Sequence, residues 1–193
     1  MTLFDCLNEM RNHGGEARTR GLADEIITKF AELDPKLEEA VLAAHEAFEE
    51  LLEQEPELLA MDEASQAAAI QEGYVNFYAD DAVNPYVSLA ARGPWIVTVK
   101  GAVLYDVGGY GMIGAGHAPQ AVLDAMNKPH VMANIMTPNL SQKRLAESLR
   151  KEIGHTRGAC PFAKFLCINS GSESVTVAAR LSDINAKMMT DPG

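Results

Sequence analysis

The sequence predicts an α/β protein in which an acidic, all-helical region over residues 1–81 precedes an α/β segment over residues 82–193. Charge supports this division, because residues 1–81 contain 20 acidic and 5 basic residues, whereas residues 82–193 contain 7 acidic and 11 basic residues. Apolar residues follow helical spacing in the first region, and β-branched and aromatic residues cluster in the second. We therefore predict two regions that join near residue 82.

The composition is typical of a globular protein with a buried core, since 47% of the 193 residues are hydrophobic and 22% are charged. The net charge of −11 argues against a nucleic-acid partner, because phosphate backbones require a basic surface.

No apolar run approaches the roughly 20 residues of a membrane span, and the N-terminus lacks a secretory signal. We expect a cytoplasmic protein without membrane partners. Three widely spaced cysteines should stay reduced, and no Cys/His cluster has metal-ligand spacing.

Three helices are predicted in the first region. The first covers residues 21–33 and ends at Asp34, and the second begins at Pro35, which suits a first helical turn, and continues to about Glu55. Pro56 interrupts the pattern. Asp62 is a good N-cap for a third helix that continues towards Tyr78.

The helix over residues 35–55 carries a single apolar stripe on one face. The stripe consists of Leu37, Val41, Ala44, Phe48 and Leu51. Such a face either binds a partner or packs on its own domain, and the second is the commoner outcome. The glutamates of this helix indicate a solvated face, and His45 is expected to be structural or exposed.

The second region begins with a predicted β-hairpin. Residues 95–99, which are β-branched and aromatic, form the first strand. Lys100 and Gly101 form a two-residue turn, and residues 102–107 form the second strand, which runs back beside the first. A glycine-rich loop over residues 108–117 follows. Its formal G-x-G-x-x-G pattern is weak evidence for a dinucleotide site, because it leaves a hairpin and does not open a helix.

Two helices and a strand are predicted beyond this loop. The helices cover residues 120–126 and 141–153, the second with Ser141 as its cap, and the apolar run over residues 162–168 has the pattern of a buried strand. His117, between the loop and the first of these helices, either fixes the loop, caps the helix or acts as a general base.

A last helix is predicted to begin at the glycine turn after the strand. Ser170 and Glu173 have the spacing of a capping box, Gly171 allows close approach of a ligand to the backbone, and the Ser172 hydroxyl adds a donor. A helix start of this kind directs backbone N–H groups and a positive dipole at one point, which suits a phosphate. An ordinary capped β–α turn would have the same sequence.

Several motifs, in order, resemble the class III aminotransferases of the ornithine and 4-aminobutyrate type. The resemblance covers about residues 101–180: a hairpin with Tyr105-Asp106, a loop with Gly108-Gly109 and Gly116-His117-Ala118-Pro119, and the segment Phe165 to Ser174. The loop has one residue fewer before its proline than the family, and Ser174 replaces the usual alanine. The family has the pyridoxal-phosphate (PLP) fold type I, so the resemblance implies that fold and pyridoxal 5'-phosphate as cofactor.

The resemblance also implies roles for individual residues. Ser170, Gly171 and Ser172 would bind the cofactor phosphate, and Tyr110 would border the pocket for a small-molecule amino donor and a 2-oxo acid acceptor. The stretch 134–139 would lie near the interface of a homodimer. None of the lysines matches the family's Schiff-base lysine, so the resemblance assigns no catalytic residue to this chain.

Three functional hypotheses follow. In the first, the chain is the N-terminal portion of a PLP-dependent aminotransferase and is inactive as the 193-residue piece alone. In the second, it is a short, non-catalytic binding or assembly protein. In the third, it is an unrelated phosphate- or nucleotide-binding enzyme.

Overall fold

A computed structural model of the protein describes residues 1–75, 86–107, 114–131 and 136–190. The chain divides into two compact units, Met1–Lys128 and Pro129–Gly193. This boundary lies after the change in charge near residue 82, because the strands that follow residue 86 pack on the acidic helices. The predicted junction itself lies outside the described residues.

The first unit combines helices with a small antiparallel sheet, so the chain is mixed α/β. Its elements are α1 (Leu3–Asn12), α2 (Asp24–Ala31), α3 (Pro35–Gln54), α4 (Pro56–Ala60), α5 (Glu63–Gln71), β1 (Ser88–Arg92), β2 (Trp95–Thr98), β3 (Val103–Tyr105) and α6 (Gln120–Met126). The second unit contains α7 (Leu140–Gly154) and α8 (Gly171–Thr190). No helix among the described residues is long and apolar enough to cross a membrane.

The three predicted helices of the acidic region are confirmed as α2, α3 and α5, whereas α4 was not predicted. Asp34 caps α3 ahead of Pro35, and the Asp62 carboxylate accepts from the Ser65 N–H at 2.9 Å. Helix α5 ends at Gln71, earlier than predicted. Helix α1 was missed, although Thr2 and Asp5 form a capping box at its start.

The predicted hairpin is also confirmed, although its return strand is shorter than expected. Strands β2 and β3 pair antiparallel, with Trp95 opposite Tyr105 and Val97 opposite Val103. Gly101 takes a φ of +68° in the turn, where a Cβ would lie 2.8 Å from the Leu7 carbonyl oxygen. Strand β1, which was not predicted, completes the order β1-β2-β3.

The core of the first unit lies between the apolar stripe of α3 and the sheet. Leu37, Val41, Ala44 and Phe48 are all buried, and α3 packs on β1, β2 and α1. The stripe therefore packs on its own unit, the commoner of the two expected outcomes. The Trp95 indole N–H donates to the Asp34 carboxylate at 2.8 Å and ties β2 to the start of α3.

The second unit corrects two local predictions. The buried strand predicted over residues 162–168 is wrong: no strand forms there, and Phe162 and Leu166 are exposed. A strand needs a neighbour for its backbone groups, and here the Arg150 side chain donates to the Ala163 carbonyl instead. Helix α7 is capped by Asn139 and not by Ser141, because Asn139 and Gln142 form a reciprocal capping box.

Lys100 is the buried centre of a polar network. Its ammonium donates to the backbone carbonyl oxygens of Gly14, Leu59 and Met61 at 2.6, 2.9 and 2.6 Å. Next to it, the buried Glu63 carboxylate accepts from the Arg18 and Thr19 N–H groups, both at 2.7 Å. The hairpin turn, the end of α4 and the segment after α1 are thus joined at one point.

We predict that Lys100→Met lowers the free energy of unfolding by about 2–4 kcal/mol, because three carbonyl groups lose a charged donor. Urea denaturation followed by circular dichroism measures the loss. Lys29→Met, at an exposed position of α2, is the matched control and should change stability by less than about 0.5 kcal/mol. Equal effects of the two substitutions would contradict the structural role of Lys100.

The same lysine should make stability depend on alkaline pH. Burial lowers the pKa of the Lys100 ammonium from its ordinary value of 10.5, against the opposing effect of the Glu63 and Asp62 carboxylates. At pH values between the lowered pKa and 10.5, Lys100 holds more protons in the unfolded chain than in the folded chain. The contribution of Lys100 to the free energy of unfolding therefore rises with pH across this range. The stability difference between the parent and Lys100→Met should therefore widen across that window, and a difference that narrows would contradict the prediction.

Candidate functional site

The candidate phosphate turn lies where α8 begins, at Gly171. The Ser170 hydroxyl accepts from the Glu173 N–H at 3.2 Å, and the Glu173 carboxylate accepts from the N–H groups of Asn169 and Ser170, also at 3.2 Å. The predicted capping box is thus confirmed. The Ser170 carbonyl in turn accepts from the Ser174 N–H, which closes the first helical turn.

This cap leaves the N–H groups of Gly171 and Ser172 available. The first N–H groups of a helix have no partner within it, and the cap engages Asn169, Ser170 and Glu173. In the described part of the chain, neither remaining amide has an acceptor. Both therefore present donors at the positive end of a 20-residue helix.

The surroundings of the turn leave room for a ligand. A Cβ added at Gly171 would meet no atom within 4 Å. An open groove of about 430 Å³ runs along the first turns of α8. Its polar lining consists of Ser172, Glu173, Thr176 and Arg180. The positive charge of Arg180 favours an anion in this groove. The negative charge of the Glu173 carboxylate opposes one, but this carboxylate already accepts hydrogen bonds from two backbone N–H groups, which offset part of its charge.

The remaining residues implied by the resemblance are placed only in part. Tyr110, the predicted substrate residue, lies outside the described residues, as do positions 134 and 135 of the predicted interface stretch. Met136, Thr137 and Pro138 are exposed and lead to Asn139, the partly buried N-cap of α7. Lys100 is the one lysine of the described residues that is buried, and its ammonium is engaged by three carbonyl oxygens.

A second group of polar side chains lies in the first unit. His117 Nε2 is 3.0 Å from Asp106 Oδ2, and the backbones of His117 and Gly93 exchange hydrogen bonds of 2.7 and 2.9 Å. His117 therefore fixes its loop against the sheet, one of the three roles predicted for it. It does not cap α6, since Pro119 is the N-cap and supplies no side-chain bond.

The Asp106–His117 pair was missed because the two residues are 11 positions apart and separated by the glycine loop. Both belong to the motifs of the resemblance, which is the signal that could have linked them. His45, predicted to be structural or exposed, is buried, and its Nε2 lies 2.8 Å from the Glu9 carboxylate. No group of three or more His, Cys, Asp or Glu within the described residues could hold a metal ion.

Comparison with known proteins adds no further assignment, since no protein-family model, curated protein or solved structure matches the chain.

We predict that Glu173→Ala destabilises the first turn of α8 by about 1 kcal/mol, because the N–H groups of Asn169 and Ser170 lose their acceptor. Amide hydrogen exchange of residues 173–176 should accelerate about fivefold. Asp183→Ala, at an exposed position further along α8, is the control and should leave these amides unchanged. Unchanged exchange in Glu173→Ala would show that the cap contributes nothing.

Proposed function

We propose that this chain is the N-terminal portion of a PLP-dependent aminotransferase, in which Ser170, Gly171 and Ser172 bind the phosphate of the cofactor. Such an enzyme transfers an amino group between an amino acid or amine and a 2-oxo acid. The observation that carries the proposal is the start of α8, where two backbone donors stand beside a hydroxyl and an unobstructed glycine. The motifs that resemble the class III aminotransferases, in the same order along residues 101–180, favour pyridoxal phosphate over other phosphate ligands.

The donors of the turn suit a phosphate group. Charged acceptors form the stronger class of hydrogen bonds, worth about 1.5–3 kcal/mol each, so two amides and one hydroxyl could anchor a phosphate at a solvent-exposed turn. The missing side chain of Gly171 lets the phosphate oxygens approach the backbone. The helix dipole adds a favourable field at the same point.

The residues of this chain would bind and orient the cofactor. When bound, the cofactor supplies the electron sink for amino-group transfer. The Gly171 and Ser172 amides would fix the phosphate end, and with it the position of the ring. The lysine that the reaction requires is not among the residues that match the family, so we propose that the 193-residue chain is inactive alone. We further propose a cytoplasmic homodimer as the working form.

We predict that Gly171→Val abolishes binding of pyridoxal phosphate, because the new side chain fills the approach to the two amides. The substitution should leave the fold intact, since a Cβ there contacts nothing. Ser172→Ala should weaken binding by roughly 1–2 kcal/mol, one hydrogen bond. Isothermal titration calorimetry with the 193-residue chain measures both effects.

Two control variants test the specificity of these losses. Gly73→Val, at a glycine whose Cβ would also meet nothing, and Ser182→Ala, exposed further along α8, should bind like the parent. If Gly171→Val binds as tightly as the parent, the turn is only a helix cap. Retained binding of a nucleotide without pyridoxal phosphate would favour an unrelated nucleotide-binding enzyme, and a borohydride-stable pyridoxyl adduct on one specific lysine would refute the absence of a catalytic lysine.

A further inference from the structure

The first unit contains a cavity that the proposed function does not use. Its volume is about 360 Å³, within the range of pockets that bind small molecules. The polar side chains on its wall are Lys36, Asp106 and His117, and the rest of the lining consists of Pro94, Ala115 and glycines. A few polar groups on a wall of small, largely apolar residues are typical of a ligand site.

The walls of the cavity are held in place by backbone contacts. Gly93 and His117 exchange two hydrogen bonds, and a Cβ added at Gly116 would lie 3.0 Å from the Gly93 Cα atom. A Cβ added at Gly93 would also lie 2.7 Å from Cδ of Lys36. The aliphatic part of the Lys36 side chain therefore packs against this glycine. Three separate segments of the chain therefore meet around the cavity.

The charges on the wall select the class of ligand. The Lys36 ammonium has no ion-pair partner within the described part of the chain, so it can neutralise one negative charge of a ligand. The Asp106 carboxylate, 3.0 Å from His117, disfavours a second negative charge nearby. A monoanionic carboxylate fits these charges better than a phosphate dianion.

The imidazole of His117 provides a second point of recognition. Because Nε2 faces the Asp106 carboxylate, Nε2 carries the proton in the neutral ring, and Nδ1 is left as a hydrogen-bond acceptor. An inorganic ion would fill only a small part of the volume, since one water occupies about 30 Å³ of liquid. The ligand should therefore have a carbon skeleton that contacts Pro94 and Ala115.

We propose that this cavity binds a small organic carboxylate that carries a hydroxyl group. Lys36 forms the ion pair with the carboxylate, and Nδ1 of His117 accepts a hydrogen bond from the hydroxyl. Asp106 is a positioning residue, which holds the imidazole in the required tautomer. The site lies within the first unit and does not depend on the proposed phosphate turn.

Titration of the isotope-labelled 193-residue chain with 3-phenyllactate, observed by NMR at the His117 ring and backbone, tests this site. We expect saturable shifts at His117 and Gly116. The methyl ester, which lacks the charge, and 3-phenylpropionate, which lacks the hydroxyl, should each bind about tenfold more weakly, the effect of one hydrogen bond to a charged or polar partner.

Three variants separate recognition from folding. Lys36→Met should weaken 3-phenyllactate binding at least about tenfold, whereas Lys29→Met should not. Gly114→Leu should block the cavity without disturbing the fold, because a Cβ at Gly114 meets no atom within 4 Å, and Gly73→Leu is its control.

The proposal is overturned if 3-phenyllactate gives no saturable shifts at His117. It is equally overturned if the ester binds as well as the acid, or if Gly114→Leu binds like the parent. Pyridoxal phosphate binding to Gly114→Leu should be unchanged, so failure of this proposal can be distinguished from failure of the phosphate turn.

Discussion

The first unit depends on one buried charge, the Lys100 ammonium, and on the three backbone carbonyl oxygens that surround it. These carbonyls belong to Gly14, Leu59 and Met61, which lie in two segments far from Lys100 in sequence. A buried ammonium is costly unless its protons are all bound, and here each of the three N–H groups finds an acceptor. The hairpin turn can therefore take only one position relative to the helices.

Neighbouring contacts extend this constraint through the unit. The Arg11 guanidinium donates to the Gly101 carbonyl at 3.1 Å and pairs with Asp24, which connects α1 and α2 to the same turn. The Trp95 indole joins the opposite end of the hairpin to the cap of α3. With both ends fixed, β2 and β3 hold Gly93 and Asp106 at the positions where they meet His117.

The phosphate turn has a different basis. Its geometry comes from local contacts within residues 169–174, where a serine and a glutamate satisfy some backbone donors and leave two others available. Such a turn needs no distant support, whereas the walls of the Asp106–His117 cavity come from segments that are far apart in sequence. The two candidate sites lie in different units and depend on different kinds of contact, local in one and long-range in the other.

Sequence patterns predicted most of the features that depend on local chemistry, although the capping box of α1 and the Asn139 cap of α7 were missed. Pro35 and Pro56 marked the bounds of α3 closely, and Ser170 and Glu173 marked the cap of α8. Features that depend on distant partners were missed: Lys100 was predicted only as a turn residue, and β1 contains the weak strand residues Ala90 and Ala91. The apolar run over residues 162–168 was misassigned because apolarity alone does not supply a neighbouring strand.

The central claim, that the start of α8 binds the cofactor phosphate, is tested most directly by titrating the nitrogen-15-labelled chain with pyridoxal phosphate. The amide resonances of Gly171 and Ser172 should shift most, while that of Asn169, whose N–H is already bound to Glu173 and which is not part of the proposed phosphate site, should shift little. Shifts confined to other residues, or equal shifts along the whole of α8, would contradict it.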